Sequence, residues 1–539
     1  MLSIGDRSKR IKVAELQANT HPECLNRAAQ RSNSDKSSDF ITMKKSSSIP
    51  IKMNTSDALS LKIQTDLSDE QYQCIRNASI MQNADIYPSL HEIREEKLNC
   101  YPDEIDINEM SATCSLQSMV DHTVKRIFIL SETKENLLKL NMNEAEGVMH
   151  FKLGFDGASS QSVYKQKYDE TDIEYARENE ETLFQTAIVP LKLVLNDQVI
   201  WLNKKPSSTH FCRPLHLQYQ KESVQLSQTE EKRLKDEEKN LRSYRFRDND
   251  NEYVISYHLD YTMFDGKIIN SLTNNKCTSK CNVCGATRKD MNDLDRVRNL
   301  PRDPKALKMG LSSLHCWIRS FEYVLHLGYK IENQDYYART SEQKQSVKER
   351  KLLIQSSFYE KLNLRVDIPK YGFGNSNDGN TARKAFENKE IFSQITGVDV
   401  EVIKRLETIL RAICSGYELD DCKFEKYCRE TASVILDLYP WYILPPTVHK
   451  MLEHGPEISQ NFELPIGFYS EEAQEALNKE IRKARLNHTA KISRINVMKG
   501  QMHHLLQRSD PVISSVMFKK KMTKSVKPFS EAVKDLLKE

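Results

Sequence analysis

A chain of 539 residues, 29% charged and 39% apolar, is long enough for a large core and for two to four structural units. It holds no run of about 18 apolar residues, and its first residues, MLSIGDRSKRIK, lack an apolar h-region, so neither a transmembrane helix nor a secretory leader is expected. The net charge of +3 hides an asymmetry: residues 479–539 carry 15 Lys+Arg against 5 Asp+Glu and the rest is net acidic by seven, which suits a polyanion such as nucleic acid, or a solvated tail.

Residues 1–60 read as a basic, Ser-rich arm. GDRSKRIK is a small basic cluster, and SNSDKSSDFITMKKSSSIP (32–50) offers little to bury. Helical spacing follows over about 66–98, interrupted at Pro88. It returns over 109–145, where Leu116, Met119, Val120, Val124 and Ile127 recur at helical period. The pattern changes at 147. GVMHFKLGFDGAS reads as a strand ending at Asp156-Gly157, and TAIVPLKLVLNDQVIWLN (186–203) as a hairpin turning at Asn196-Asp197. NEYVISYHLDYTMFDGK (251–267) is a further strand followed by Asp265-Gly266. From about 295 to 460 the period is helical, as in SSLHCWIRSFEYVLHLGYK and DVEVIKRLETILRAICSGY. A last, polar helix follows PIGFYS, with Ser470 as N-cap and acids in its first turn. This order points to an α+β fold, a mixed sheet interrupted by a helical insertion.

Twelve cysteines without dense regular spacing do not suit a disulfide scaffold; a reducing compartment is expected. There the pair Cys281-x-x-Cys284 poses a metal or redox question, and no thioredoxin-like context surrounds it. A structural zinc takes four ligands. His449 and His454, in HKMLEH, supply the missing two if the chain bends to bring residues five apart onto one ion. Read from spacing alone, these histidines are as readily surface residues.

Asp156 and Asp265 each end a strand-like run before Gly, and Glu475 shares a helix with Lys479 and Arg482 at i+4 and i+7. Three converging carboxylates can hold two Mg²⁺ ions for phosphoryl transfer, with the basic helix face along the phosphates. Ordinary Asp-Gly turns and a first-turn helix acid are the plainer reading of the same residues.

Taken together, in order over most of residues 86–510, these segments resemble the Transib transposases and the catalytic core of the vertebrate V(D)J recombinase. IYPSLHEIREEKLNCYP is similar to the tyrosine-proline stretch ahead of the family core, FDGAS and FDGKIINSL to its two aspartate segments, and FCRPLHLQYQKES to a strand and turn between them. CNVCGATRKDM and VHKMLEHGPEI resemble its zinc cysteines and histidines, DGNTARKAF a DNA-contacting segment, and SEEAQEALNK the segment of its third carboxylate.

The resemblance implies a ribonuclease-H-like mixed sheet, the core of Asp-Asp-Glu transposases, with a large helical zinc-bearing insertion. It divides the chain into an arm (1–60), a helical DNA-binding and dimerisation region (61–145), the first part of the core (146–280), the insertion (281–465), the catalytic helix region (466–510) and a basic tail (511–539). It implies catalysis by Asp156, Asp265 and Glu475 on Mg²⁺, with Mn²⁺ able to substitute. Zn²⁺ is expected on Cys281, Cys284, His449 and His454, and DNA contacts from Arg383, Lys384, Lys479 and Arg482. The implied activity is a nuclear DNA transposase or recombinase that cuts transposon ends, forms hairpins on flanking DNA and transfers strands. Its partners are double-stranded terminal-repeat and target DNA, a second copy of the chain in a homodimer, and an accessory protein; no membrane is expected. A domesticated DNA-binding protein without cleavage, and a zinc-bearing scaffold, are the alternatives. Trp317 stands where the recombinase has an aspartate and is assigned to packing. Phe468 and Tyr469 are candidates for stacking on an extruded base.

Overall fold

The computed structural model describes residues 50–140, 144–159, 161, 181–248, 251–273, 275, 277–370, 374–519 and 528–538. The basic cluster at the start of the chain, and most of the expected arm, lie outside these residues. The described residues fall into two compact units, one comprising residues 50–54 and 69–90, the other 55–68 and the described residues from 91 onward. In the first, the helix Asp69–Met81 starts with two acids, which suit the positive end of its dipole. It buries Tyr72, whose hydroxyl donates to the Pro88 carbonyl at 2.9 Å.

The second unit is a mixed α+β structure. Its strands are β1 (Ile105–Ile107), β2 (Ser111–Cys114), β3 (Glu144–Ala158), β4 (Leu183–Leu195), β5 (Gln198–Leu202), β6 (Arg213–Gln218), β7 (Tyr244–Asp248) and β8 (Asn251–Tyr261). They form one sheet in the order β1-β2-β6-β4-β3-β8-β7, with β5 on β4. Among the described residues only β3 and β8 pair in parallel. The expected hairpin is β4–β5, turning at Asn196 and Asp197 with φ of 45° and 63°, the left-handed pair that suits the twist of a two-residue loop. Pro190 sits inside β4 opposite Phe151, beside a bulge between His150 and Phe151, a place in a sheet that accommodates proline.

Two expectations shift. β3 continues past Asp156 to Ala158. Asp265 does not end a strand: β8 ends at Tyr261, and Asp265 caps the helix Gly266–Leu272, its Oδ1 accepting from Ile268 N at 2.7 Å. β1, β2 and β7 were not legible in the sequence.

The helix Leu116–Phe128 buries the periodic set Leu116, Met119, Val120, Val124 and Ile127 against the sheet core, to which Leu477, Ile481, Met498 and Leu505 also belong. A second apolar core fills the helical block, from Val283 to Ile466. The expected tail is partly packed. The helix Pro511–Lys519 follows Asp510, whose carboxylate is buried against Arg126 at 2.7 Å. Val533 and Leu536 join the core of the helical block, and Leu537 bridges to Leu419. The helix Thr55–Gln64 likewise starts inside the expected arm. Among the described residues no helix is long and apolar enough to cross a membrane.

Candidate active site and candidate metal centre

Five residues at 100° each would place His449 and His454 about 140° apart on an α-helix. The chain solves this with one π turn, Lys450–His454, set between the α-helical Pro446–His449 and Gly455–Ser459. Its wider turn brings residues five apart onto one side. On the facing loop, Gly285 N donates to Cys281 O at 3.0 Å and Cys281 N to Ala286 O at 2.9 Å, closing the Cys-x-x-Cys turn. Gly285 closes it at φ +69°, a conformation open to glycine at little cost.

The donor atoms of Cys281, Cys284, His449 and His454 all lie within 4.8 Å of one another, and all four side chains are buried. Cys284 Sγ is 3.5 Å from His449 Nε2. His449 Nδ1 and His454 Nε2 are buried without a hydrogen-bond partner among the described residues. The Cys284 thiol beside Cys281 holds the Cys281 thiol well below its ordinary range, so it ionises first. Soft thiolates, imidazoles and orphaned nitrogens in a tetrahedral-sized set fit a closed structural site. This buried group can hold a metal ion such as zinc.

Asp156 lies just beyond the last parallel pair of β3 and β8, Leu153 with Tyr261. Asp265 follows β8 after a turn in which Thr262 N and Met263 N both donate to Leu153 O, at 3.1 and 3.2 Å. Gly154 makes this crossing possible, because any Cβ there would collide with the Met263 carbonyl oxygen. The helix Glu472–Asn487 supplies Glu475. It begins two residues after Ser470, whose Oγ accepts from Glu472 N at 3.2 Å; the N-cap position itself falls on Glu471.

Asp156, Asp265 and Glu475 line one small cleft with Met263, His315, Glu471 and Gln474. Burial, then the charges of Glu475 and Asp265, push the Asp156 carboxyl up to about 8. Burial and the nearby Glu471 and Asp265 charges also raise Glu475, against the opposing pull of His315. The three carboxylates do not form a set as tight as the Cys–His group. Gln185, directly across the ladder from Asp156, donates to the Gln474 carbonyl at 3.2 Å and to Asn478 Oδ1.

Arg383 donates to Glu472 and lies over the Trp317 ring at 5.7 Å. Trp317 is buried, edge-on to Phe386, as assigned. Lys384 and Lys479 are exposed, and Arg482 reaches the Ser159 carbonyl at 3.2 Å. Phe468 and Tyr469 are in the sheet core, Tyr469 against Phe462 with centroids 4.4 Å apart, so neither offers a face to a base.

Several residues at the cleft escaped sequence reasoning. His315 Nδ1 lies 3.2 Å from Glu471 Oε1 and 2.7 Å from Ser312 Oγ. Burial disfavours its charged form, yet the Glu471 carboxylate and the Asp265 charge hold its pKa above the ordinary histidine value. Glu222 pairs with Lys267 at 2.8 Å beside Gly157, and buried Lys152 donates to the Ser470 carbonyl at 2.6 Å. A lysine inside an otherwise apolar strand was the one available signal, and it names no partner. No protein-family model matches the chain, and no curated protein matches it.

Proposed function

We propose that the chain is a DNA transposase of the Asp-Asp-Glu type, with a ribonuclease-H-like core and a zinc-bearing helical insertion ahead of its last carboxylate. One observation carries the reading: carboxylates from β3, from the cap of the helix that follows its parallel neighbour β8, and from a distant helix line a single cleft. Burial, with the charge of neighbouring carboxylates added, raises Asp156 and Glu475, a situation that a divalent cation relieves. Asp156, Asp265 and Glu475 would hold magnesium, or manganese in its place. When bound, such ions supply Lewis acidity to the attacking and leaving oxygens of an in-line displacement.

The protein's own part is orientation. Asn478 holds Asp156, the Ile268 N–H holds Asp265, and Gln185 fixes the helix of Glu475 against the strand of Asp156. Lys384, Lys479 and Arg482 supply cationic surface for phosphates, and Arg383 acts through Glu472. On this reading water cuts one strand at a transposon end, and the freed 3′-hydroxyl attacks the other strand to leave a hairpin on flanking DNA, before strand transfer into a target. The protein works as a homodimer on paired ends in the nucleus.

The test is nicking of duplex DNA carrying the sequences that flank the coding region. Magnesium-dependent nicks that vanish in Asp265→Asn support the proposal. Salt-sensitive binding without any nick supports the domesticated, non-cleaving alternative, and absence of DNA binding supports a scaffold.

A further inference from the structure

A cavity of about 420 Å³ opens beside Asp265, between the Gly266–Leu272 helix, the Cys-x-x-Cys loop, the Ser313–Lys330 helix and the Pro446–His449 turn. It shares Asp265 and His315 with the carboxylate cleft, so the two spaces border on the same two side chains. Among the described residues Asp265 is the only acid in its lining, against Lys267, Lys280, Arg319 and Lys450. Lys267 and Arg319 are already committed, to Glu222 at 2.8 Å and to Glu322 at 2.6 Å. Lys280 is exposed at the rim.

Lys450 is different. It is 7% exposed, lines the cavity, and its ammonium has no hydrogen-bond or ion-pair partner among the described residues. Its side chain is buried but its ammonium is not among the sealed, unsatisfied polar atoms, and the charges of Cys281 and Cys316 act on it without a direct contact, so the cation has capacity left for a partner of opposite charge in the cavity. The π turn explains its direction: it turns His449 and His454 to the metal set, and the residue between them lines the cavity instead.

We propose that this cavity seats a backbone phosphate of the DNA strand next to the scissile one, with Lys450 as its buried cation and Lys280 at its mouth. The inference rests on the DNA-cleaving reading above, because adjacency to the carboxylate cleft, through Asp265 and His315, is what selects a DNA phosphate over a free anion.

The test uses the full chain, a labelled duplex and fluorescence anisotropy over a range of salt. Each phosphate deprived of its protein cation lowers the slope of log affinity against log salt by about 0.9 on duplex DNA. Lys450→Met is expected to reduce the slope by about that much, with zinc content and melting temperature unchanged. Lys280→Glu, exposed and harmless to folding, is expected to weaken binding and flatten the slope as well. A folded Lys450→Met chain with the parent slope overturns the proposal. If that variant does not fold, Lys280→Glu decides, and an unchanged slope there overturns it equally. A variant that loses affinity for inorganic pyrophosphate while its DNA slope stays put assigns the cavity to a free anion and overturns it too. Asp265→Asn reports separately on cleavage. If Asp265→Asn still nicks while Lys450→Met flattens the slope, the catalytic reading fails and the DNA seat stands. A flat slope in the parent protein removes both.

Discussion

Asn478 Nδ2 donates to Asp156 Oδ2 at 2.8 Å, joining the helix of Glu475 to the strand that carries the first aspartate. The same amide accepts from Gln185 through its oxygen, so one side chain connects helix, β3 and β4. Asn478→Leu keeps the volume and removes both bonds. It is expected to cost about 1–3 kcal/mol, the penalty for partners left unsatisfied. A urea titration measures this; a stability equal to the parent's would show that the amide is dispensable for docking the helix.

Asp265→Asn and Cys281→Ser separate the two candidate metal sites. Asparagine caps a helix as well as aspartate does, so the Gly266–Leu272 helix should survive the first change. Zinc content and DNA affinity are expected to stay near parent values while nicking is abolished. Cys281→Ser removes one of four converging donors. It is expected to lose zinc and lower the melting temperature, because metal binding and folding are coupled at such sites. Retention of zinc and of melting temperature in Cys281→Ser would refute the Cys–His assignment.

Lys152 gives a pH signature. Burial lowers its pKa to about 7, against the opposing charges of Cys212, Glu471 and Glu472. An unfolded lysine titrates near 10.4. Between these values the unfolded chain binds the proton and the folded chain does not, so this residue favours folding increasingly as pH rises through the window. Lys152→Met lacks this contribution. The stability of the parent relative to Lys152→Met is therefore expected to rise between about pH 7.5 and about pH 9.5. Urea midpoints at the two pH values measure it, and a constant difference would mean that Lys152 stays charged in the fold.

Gly154→Ala tests the crossing that brings the two aspartates to one cleft. The new methyl must displace Met263, two residues before Asp265. Overpacking of this kind costs about 1–3 kcal/mol. Nicking is expected to fall further than stability alone explains, because the displaced segment carries a carboxylate. Parent-like nicking in a destabilised Gly154→Ala chain would show that the position of Asp265 tolerates the shift.

Much of the local structure was legible because its causes are local. Asn-Asp between alternating apolar runs sets the β4–β5 turn, and five apolar residues at helical period set the Leu116–Phe128 helix. β1, β2 and β7 were missed because each is three to five residues long, too short to show a period. Asp265 is expected at the end of a strand-like run, whereas it caps a helix, because Asp-Gly serves strand ends, turns and N-caps alike; the apolar run IINSL after it is the signal for a helix.

The residue types at the candidate sites, and the order of their motifs, are properties of the sequence by itself: three acids, two thiols and two imidazoles, each in a short recognisable segment. What joins them is not local. The spacing of His449 and His454 forbids a shared metal on a regular α-helix, and only the packing of the helical block selects the π turn that permits it. Parallel pairing of β3 with β8 brings Asp156 and Asp265 to one sheet end across a long stretch of chain, which no nearby residue dictates. The same packing turned Phe468 and Tyr469 inward, committed Arg383 to Glu472 and Trp317, and placed Lys450 in a buried position beside a cavity. A side chain's chemistry is written in its identity, but its burial and its partners are set by residues hundreds of positions away.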